Sequence, residues 1–550
     1  MRTGLRSRST RYWLVLLLVA LVLLLVYLGV TRRSPTFPPI TTIDGELYGM
    51  VIRDPWYDFG TNPALPDQPN RVAQDRMGAM LAQMGVEWVR LEFHIVGGDP
   101  LVEQQVARYD YFIREVAPRY DLNVLGLLGY GLIRGQDPRI LGAVTAEHDP
   151  IYGAGIDNPK RIWLNRARLI VARYGDAVAA YQVLNEFNRP APDWQAALPA
   201  AQVARLHTTF YRFFHHVDRT APGDQSWRDT TPIVLGGIQP AGSGQREAFG
   251  YLEDTYYLRQ LYASAAFTQY HQEYGRFPLD GLGYHPYPVE VAVSLPPTPT
   301  PTGAAAGAQT DNRPDPRHDL TLIQERLDSV RAVLNEVGDP AQPFWLTEIG
   351  HNAGYGRQDA TSQAAFLRLV YTELAARPDV AKIFWFKYED FPPAVGPEAQ
   401  KWGTVVLPFT EDAPCPGGAC YDAGGRPTLL RPSFWAYREL TGAGARLPEP
   451  PAQVITRGPP AAEVGTELTF SARVERETAA RPLTYTWTLA DGEQVIRQGE
   501  LEDRISFTWQ RPAIYTLTIE AGNAGGVVID RRQLLIGPPG SLGPRGLRKK

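Results

Sequence analysis

Cysteine is nearly absent from this chain: Cys415 and Cys420, in the segment Cys-Pro-Gly-Gly-Ala-Cys, are the only two. A structural zinc ion takes about four thiolate or imidazole ligands at paired spacings, so this pair does not make one and no metal is expected. Positive charge is not in excess either. Lys and Arg number 55 against 59 Asp and Glu, a net charge of -4, whereas a nucleic-acid partner calls for a basic face; nucleic acid is excluded as a partner. A shortage of apolar residues, the mark of a disordered chain, is missing: hydrophobic residues make up 44% and charged residues 21%, which supports a large core. No regular internal period occurs, which excludes a solenoid.

What the chain does have begins with one long apolar run. Tyr12 to Val30 reads YWLVLLLVALVLLLVYLGV without a charge, enough to cross about 30 Å of hydrocarbon at roughly 1.5 Å per residue. Arg2, Arg6, Arg8 and Arg11 precede it and only Arg32 and Arg33 follow closely, a bias that keeps the N-terminus inside. A cleaved signal peptide is the rival reading, but its apolar region is shorter, about 7–15 residues, and ends at a small-residue site. The expectation is a single-pass membrane protein: residues 1–11 cytoplasmic, 12–30 a signal anchor with the bilayer as partner, and the rest outside the cytoplasm. In that compartment Cys415 and Cys420 are candidates for a short-loop disulfide; the alternative is two free thiols.

Residues 31–45, rich in Pro and Thr, form a spacer. Over 46–445 short apolar runs alternate with longer stretches of helical period. Strands are predicted at Tyr48–Ile52, Trp88–Phe93, Asn123–Leu128, Ala179–Leu184, Ile233–Ile238, Gly281–His285, Phe344–Thr347 and Lys382–Phe386. Helices are predicted at Arg71–Met84, Val102–Val116, Ala204–His216, Leu320–Val337 and Ser362–Ala375. Eight strands separated by helices fit an α/β fold, a closed parallel (β/α)8 TIM barrel, better than an open sheet. Residues 291–316, rich in Pro, Thr, Ala and Gly, read as an inserted loop on the rim, with a lid role left open. Pro448, Pro450, Pro451 and Pro459 mark a stiff linker over 446–460. From 461 to 536, period-two runs between turn residues predict a small immunoglobulin-like β-sandwich, followed by a disordered basic tail, 537–550.

Active sites on parallel barrels are built at the C-terminal ends of strands, and two predicted ends carry glutamates. The fourth strand closes Gln-Val-Leu-Asn185-Glu186 and the seventh closes Trp-Leu-Thr347-Glu348. Cleaving a sugar acetal needs one carboxyl group to protonate the leaving oxygen and a second, ionised, across the ring. Each glutamate alone reads as a surface or capping residue; the two together, across one barrel mouth, read as that pair. The 11% of aromatic residues, including 12 Trp and 27 Tyr, also suits sugar-stacking surfaces, though large barrels bury many aromatics.

With Asn-Glu closing strand four and Glu closing strand seven, residues 46 to about 440 resemble the retaining (β/α)8 glycoside hydrolases of the four/seven superfamily (clan A), nearest the β-xylosidase and cellulase-like branches. The resemblance implies that Glu186 is the acid/base and Glu348 the nucleophile. Glu186 should then have the raised pKa, since an ionised neighbour and partial burial both disfavour its charge. Arg90, in Val-Arg-Leu on strand two, is similar to the arginine that supports the nucleophile, against a plain structural ion pair. Asn185 would meet the sugar 2-hydroxyl, against a turn-forming role. His285 and Tyr287, in Gly-Tyr-His-Pro-Tyr-Pro, resemble the family's His-x-Tyr element, the Tyr hydroxyl on the nucleophile and the His near the acid/base. Trp385 resembles the strand-eight tryptophan that floors the sugar site, against core packing. Two features depart from the family. Phe187 stands where many members have Pro, and strand three ends in Leu-Leu-Gly-Tyr130-Gly with no obvious polar sugar ligand. The C-terminal segment, with Tyr485-Thr-Trp487-Thr-Leu-Ala-Asp491-Gly492 and then Ile514-Tyr515 and Asn523-Ala-Gly525, resembles the polycystic-kidney-disease (PKD) type of sandwich.

The expectation is a monomeric retaining glycosidase acting on a poly- or oligosaccharide without a cofactor. A non-catalytic glycan-binding envelope protein and a transglycosidase are the alternatives.

Overall fold

The computed structural model describes residues 47–541 apart from 53–60, 63–64, 70, 96–101, 190–196, 219–224, 242–252, 295–314, 355–358, 392–399, 408, 411–419, 422–426, 428, 444–450, 476–482, 490–493, 500–501 and 524–525. Eight parallel strands close on themselves: β1 (Tyr48–Val51), β2 (Trp88–Glu92), β3 (Asn123–Leu128), β4 (Ala180–Asn185), β5 (Ile233–Ile238), β6 (Gly281–Tyr284), β7 (Phe344–Ile349) and β8 (Val380–Trp385). Each strand pairs with its sequence neighbours, and β8 returns to β1 to complete the barrel. Strands buried on both faces read as continuous apolar runs, which is why all eight fall where the sequence puts them, to within two residues at either end.

Two layers fill the structure. Inside the barrel, Val51, Trp88, Leu125, Ala180, Val234, Trp345 and Phe384 pack from seven strands into one cluster. Trp345 meets Trp88 edge-on at 5.8 Å and stacks on Phe384 at 6.5 Å. Gly281 on β6 leaves the room for it: a Cβ there would lie 2.5 Å from the Trp345 ring. The opposite strand faces bury Ile, Leu, Val and aromatic residues against the surrounding helices. These helices are α1 (Arg71–Met84), α2 (Asn158–Tyr174), α3 (Ala200–Arg212), α4 (Asp254–Tyr262), α5 (Ala265–Tyr274), α6 (Pro316–Glu336), α7 (Ala360–Leu369) and α8 (Pro432–Leu440). Their ends follow capping chemistry. The Asp157 carboxylate accepts from the Lys160 amide ahead of α2, Gly275 closes α5 in the left-handed conformation, and Asp359 and Ser362 form a reciprocal box at α7. The predicted helix 102–116 is split into Val102–Ala107 and a wide turn, Phe112–Val116.

After the barrel come β9 (Gln453–Arg457), β10 (Ala461–Glu463), β11 (Glu467–Glu475), β12 (Thr484–Leu489), β13 (Gln494–Gly499), β14 (Arg504–Thr508), β15 (Ala513–Asn523) and β16 (Gly526–Gly537). They form a three-stranded sheet, β9-β11-β14, facing a five-stranded one, β10-β16-β15-β12-β13. Phe470, Trp487, Trp509, Leu517 and Ile519 lie between them, and the Trp487 indole N–H donates to the Glu502 carbonyl at 2.7 Å. β9 falls within the predicted 446–460 linker. Its alternating exposed and buried residues pair with β11, a period-two signal that the flanking prolines hide. Arg76 of α1 bonds Asp503 of the sandwich at 2.9 Å.

The membrane expectation requires correction. Among the described residues no helix is long and apolar enough to cross a membrane, and the run 12–30 on which that expectation stood lies outside them, as does the 31–45 spacer. The anchored fold class, the bilayer partner and the extracytoplasmic location are withdrawn on that finding. Cys415, and with it the disulfide expected between Cys415 and Cys420, also lies outside the described residues. So do 295–314, most of the predicted rim loop; its start is the short helix Pro288–Ser294 and its end the first turn of α6.

Trp345→Ala would empty the centre of the inner layer. A large aromatic removed from a core costs about 3–5 kcal/mol, so urea unfolding of the barrel should shift to a clearly lower midpoint, with the sandwich transition unmoved. An unshifted barrel midpoint would contradict this packing.

Candidate active site

The barrel mouth gathers charge that the strands cannot leave unpaired. Arg90, inward on β2 and buried, reaches three acceptors: its Nε donates to Gln182 Oε1 at 2.6 Å, one terminal nitrogen to Glu348 Oε1 at 2.7 Å and the other to Asn185 Oδ1 at 2.8 Å. The second oxygen of Glu348 accepts from the Tyr287 hydroxyl at 2.7 Å. A carboxylate held by a guanidinium fork and a phenol is fixed in position. Because arginine can only donate, the Asn185 atom that meets it is the carbonyl oxygen, which leaves the amide N–H group for another partner.

Glu186 stands opposite. Its Oε1 accepts from His285 Nδ1 at 2.8 Å and its Oε2 pairs with Arg189 at 3.2 Å. His285 Nδ1 is also 3.7 Å from Glu348 Oε2. One oxygen of each glutamate and a His285 ring nitrogen all lie within 4.8 Å of one another. Burial pushes the Glu186 carboxyl pKa up, but the hydrogen bond from His285, and then the Arg189 guanidinium, outweigh it and hold Glu186 below the usual carboxylate range. The raised pKa expected from the sequence is therefore corrected: the partners that orient Glu186 also favour its ionised form.

Consecutive residues of a strand point to opposite faces, yet Asn185 and Glu186 both serve the mouth, as do Thr347 and Glu348. The backbone breaks at both places. Leu184 and Glu186 take positive φ values, 64° and 41°, uncommon for residues with a Cβ. On β7 the register with β8 slips between Leu346 and Ile349. His285 sits at the end of β6 over Gly237 of β5, where an added Cβ would lie 2.0 Å from the ring.

The structure thus brings together six of the seven sequence-predicted site residues: Glu186, Glu348, Arg90, Asn185, His285 and Tyr287. It places Trp385 elsewhere. That ring is fully buried on the outer face of β8, with Phe366 of α7 at 6.1 Å, the core position that was its alternative reading. The aromatic surface at the mouth is made instead by Phe386 and Trp402, which pack edge-on with each other at 5.5 Å and against Tyr287 at 5.8 and 5.2 Å.

Other groups went unread in the sequence. Tyr130 at the end of β3 has a buried hydroxyl with no hydrogen-bond partner among the described residues. Burial first, then the nearby charges of Glu186 and Glu92, raise its pKa. Strand three therefore does deliver a polar group. Glu92 accepts from the Gly131 amide at 3.2 Å and pairs with His94 at 3.1 Å. Gln182 and Thr347, polar residues within apolar strands, bond each other at 3.3 Å; that break in composition was their signal. Glu186, His285 and Glu348 also have ligand-like spacing for a cation, but both carboxylates already face arginine, which opposes one.

Residues 452–532 match the family model described as the PKD domain. No curated protein matches the chain. Among solved structures, an endo-β-1,4-mannanase from Thermotoga petrophila is similar at 10% identity and TM-score 0.41, covering 90% of this chain and 99% of that one. A family 39 glycoside hydrolase from Bacteroides cellulosilyticus WH2 has 14% identity and TM-score 0.39, with 85% and 82% covered. A Bacteroides uniformis β-glucuronidase has 11% identity and TM-score 0.36 over 90% of this chain; the chain spans 46% of its length. Likenesses at these scores bear on no question of activity.

Arg90→Leu would leave Glu348 buried without its counter-charge. Breaking such a pair costs about 3–5 kcal/mol, read as a lower denaturation midpoint. Adding Glu348→Gln to that variant should recover much of the loss; equal losses in the single and double variants would refute the pairing.

Proposed function

We propose that the protein is a retaining glycoside hydrolase with Glu348 as nucleophile and Glu186 as acid/base. The observation that carries this reading is the gap between them. Carboxyl groups about 5–5.5 Å apart fit direct attack on a sugar held between them, whereas inversion needs about 6.5–9.5 Å to admit a water. The nearest oxygens of Glu186 and Glu348 approach within 4.8 Å; the carboxyl groups as a whole stand somewhat further apart, and this close approach supports the narrower, retaining spacing.

In the first half-reaction Glu348 attacks the anomeric carbon, the bond to the leaving oxygen breaks, and Glu186 passes that oxygen a proton. In the second, Glu186 takes a proton from water, whose oxygen displaces Glu348 from the sugar. Arg90 and Tyr287 keep Glu348 aimed. Asn185, its carbonyl tied to Arg90, offers its amide N–H to the 2-hydroxyl, a contact that strengthens as charge develops. Phe386 and Trp402 supply the face on which a pyranose stacks. The substrate class is an O-linked poly- or oligosaccharide, and no step calls on a cofactor.

Glu348→Ala is expected to abolish turnover of aryl glycosides, and azide to restore it as a glycosyl azide of inverted configuration. Wild-type rates in that variant would end the proposal, and a wild-type product of inverted configuration would remove the retaining mechanism.

The sign of the pH dependence follows from Glu186. Protonated Glu186 is the competent acid, and its pKa is held down, so kcat/KM should decline as pH rises out of the acid range. The decline should vanish with an activated aryl leaving group that needs no proton. A profile rising from acid to neutral pH with an unactivated substrate would contradict this assignment.

A further inference from the structure

We infer that Gln182 and Thr347 are positioning residues that fix which nitrogen of His285 carries its proton, and through it the protonation of Glu186. The inference rests on the hydrolase reading for its catalytic meaning, though not for its geometry.

The argument is an account of hydrogens. Arg90 Nε has only a proton to offer, and Gln182 Oε1 takes it at 2.6 Å. The Gln182 amide group is thereby turned so that its Nε2–H faces Thr347 Oγ1 at 3.3 Å. Thr347 is fully buried and has one further neighbour, His285 Nε2, at 2.9 Å. Gln182 Nε2 is a donor, so among the described residues the Thr347 hydroxyl proton has a single acceptor, the lone pair on His285 Nε2. A buried hydroxyl left without an acceptor is costly. With Nε2 engaged as acceptor, the ring carries its hydrogen on Nδ1, which donates to Glu186 Oε1 at 2.8 Å.

The chain of donors runs one way from Arg90 through Gln182, Thr347 and His285 to Glu186, while Arg90 also holds Glu348. The two glutamates are thus tied to one buried guanidinium by two routes. A second proton on His285 would strand the Thr347 hydroxyl, so the imidazole is kept from storing the proton that Glu186 must deliver to the leaving oxygen. Gln182, Thr347 and His285 are all fully buried, so bulk water does not substitute for a missing link.

The test is nitrogen NMR of the full chain labelled with 15N-histidine, the His285 signals assigned by their loss in His285→Gln. In the wild type at neutral pH Nδ1 should be protonated and Nε2 bare. A bare Nδ1, or a hydrogen on Nε2, under those conditions would overturn the inference without any variant. Thr347→Ser keeps the hydroxyl and should keep both the pattern and the pH profile. Thr347→Val keeps the volume but should lose the pattern, with kcat/KM down about tenfold or more, a part of what general acid catalysis supplies. Gln182→Glu should reverse it, protonating Nε2, because a carboxylate accepts from Thr347. A packing role predicts the opposite order, Val silent and Ser impaired, and would likewise overturn the inference. Failure of the hydrolase reading looks different: no turnover by the wild type while the nitrogen pattern holds.

Discussion

A charge buried under a barrel mouth has to be met on every side, and Arg90 sets that condition for the whole site. One guanidinium fork ends on β4 twice and on β7 once. Three strands far apart in sequence are therefore held to a common height by one planar group, whose geometry tolerates little rotation. The hydrophobic layer beneath, Trp345 with Trp88 and Phe384, gives that group a dry floor and strengthens each of its contacts. The different surroundings of the two glutamates follow from the same source. Glu348 meets the guanidinium directly, while Glu186 feels it only through intervening hydrogen bonds.

How much of this was legible in the sequence depends on which physical signal each part carries. Barrel strands were readable because both their faces are apolar, and Glu186 and Glu348 because a carboxylate ending an apolar run has no reason of its own to be there. The same two-faced burial hid the direction of individual side chains. Trp385 and Phe386 are neighbours in one apolar run, and nothing local says which of them faces inward; the pairing of β8 with β1 and β7 decides it. Gln182 and Thr347 could have been singled out as polar residues amid apolar ones. Their connection needs β4 and β7 to face each other across a closed barrel, which is a tertiary fact. The low pKa of Glu186 was likewise out of reach, since it depends on Arg189 folding back one turn and on His285 arriving from β6.

The C-terminal sandwich was legible in type, with its alternating strands and turn residues, but not in extent. Its first strand, Gln453–Arg457, lies among prolines that read as a linker. Local composition favoured a stiff spacer, and pairing with β11 overrode it. The membrane reading went further than its one segment could carry, and the disulfide argument depended on that topology.

The bare backbone of Gly237 beneath His285 sets a condition on moving this chemistry to another scaffold. Grafting the two acids and the imidazole onto a different eight-stranded frame would fail wherever the fifth strand bears any side chain at that height. The missing methyl group is as much a component of the machinery as the atoms that surround it, and an inventory of functional groups alone would overlook it.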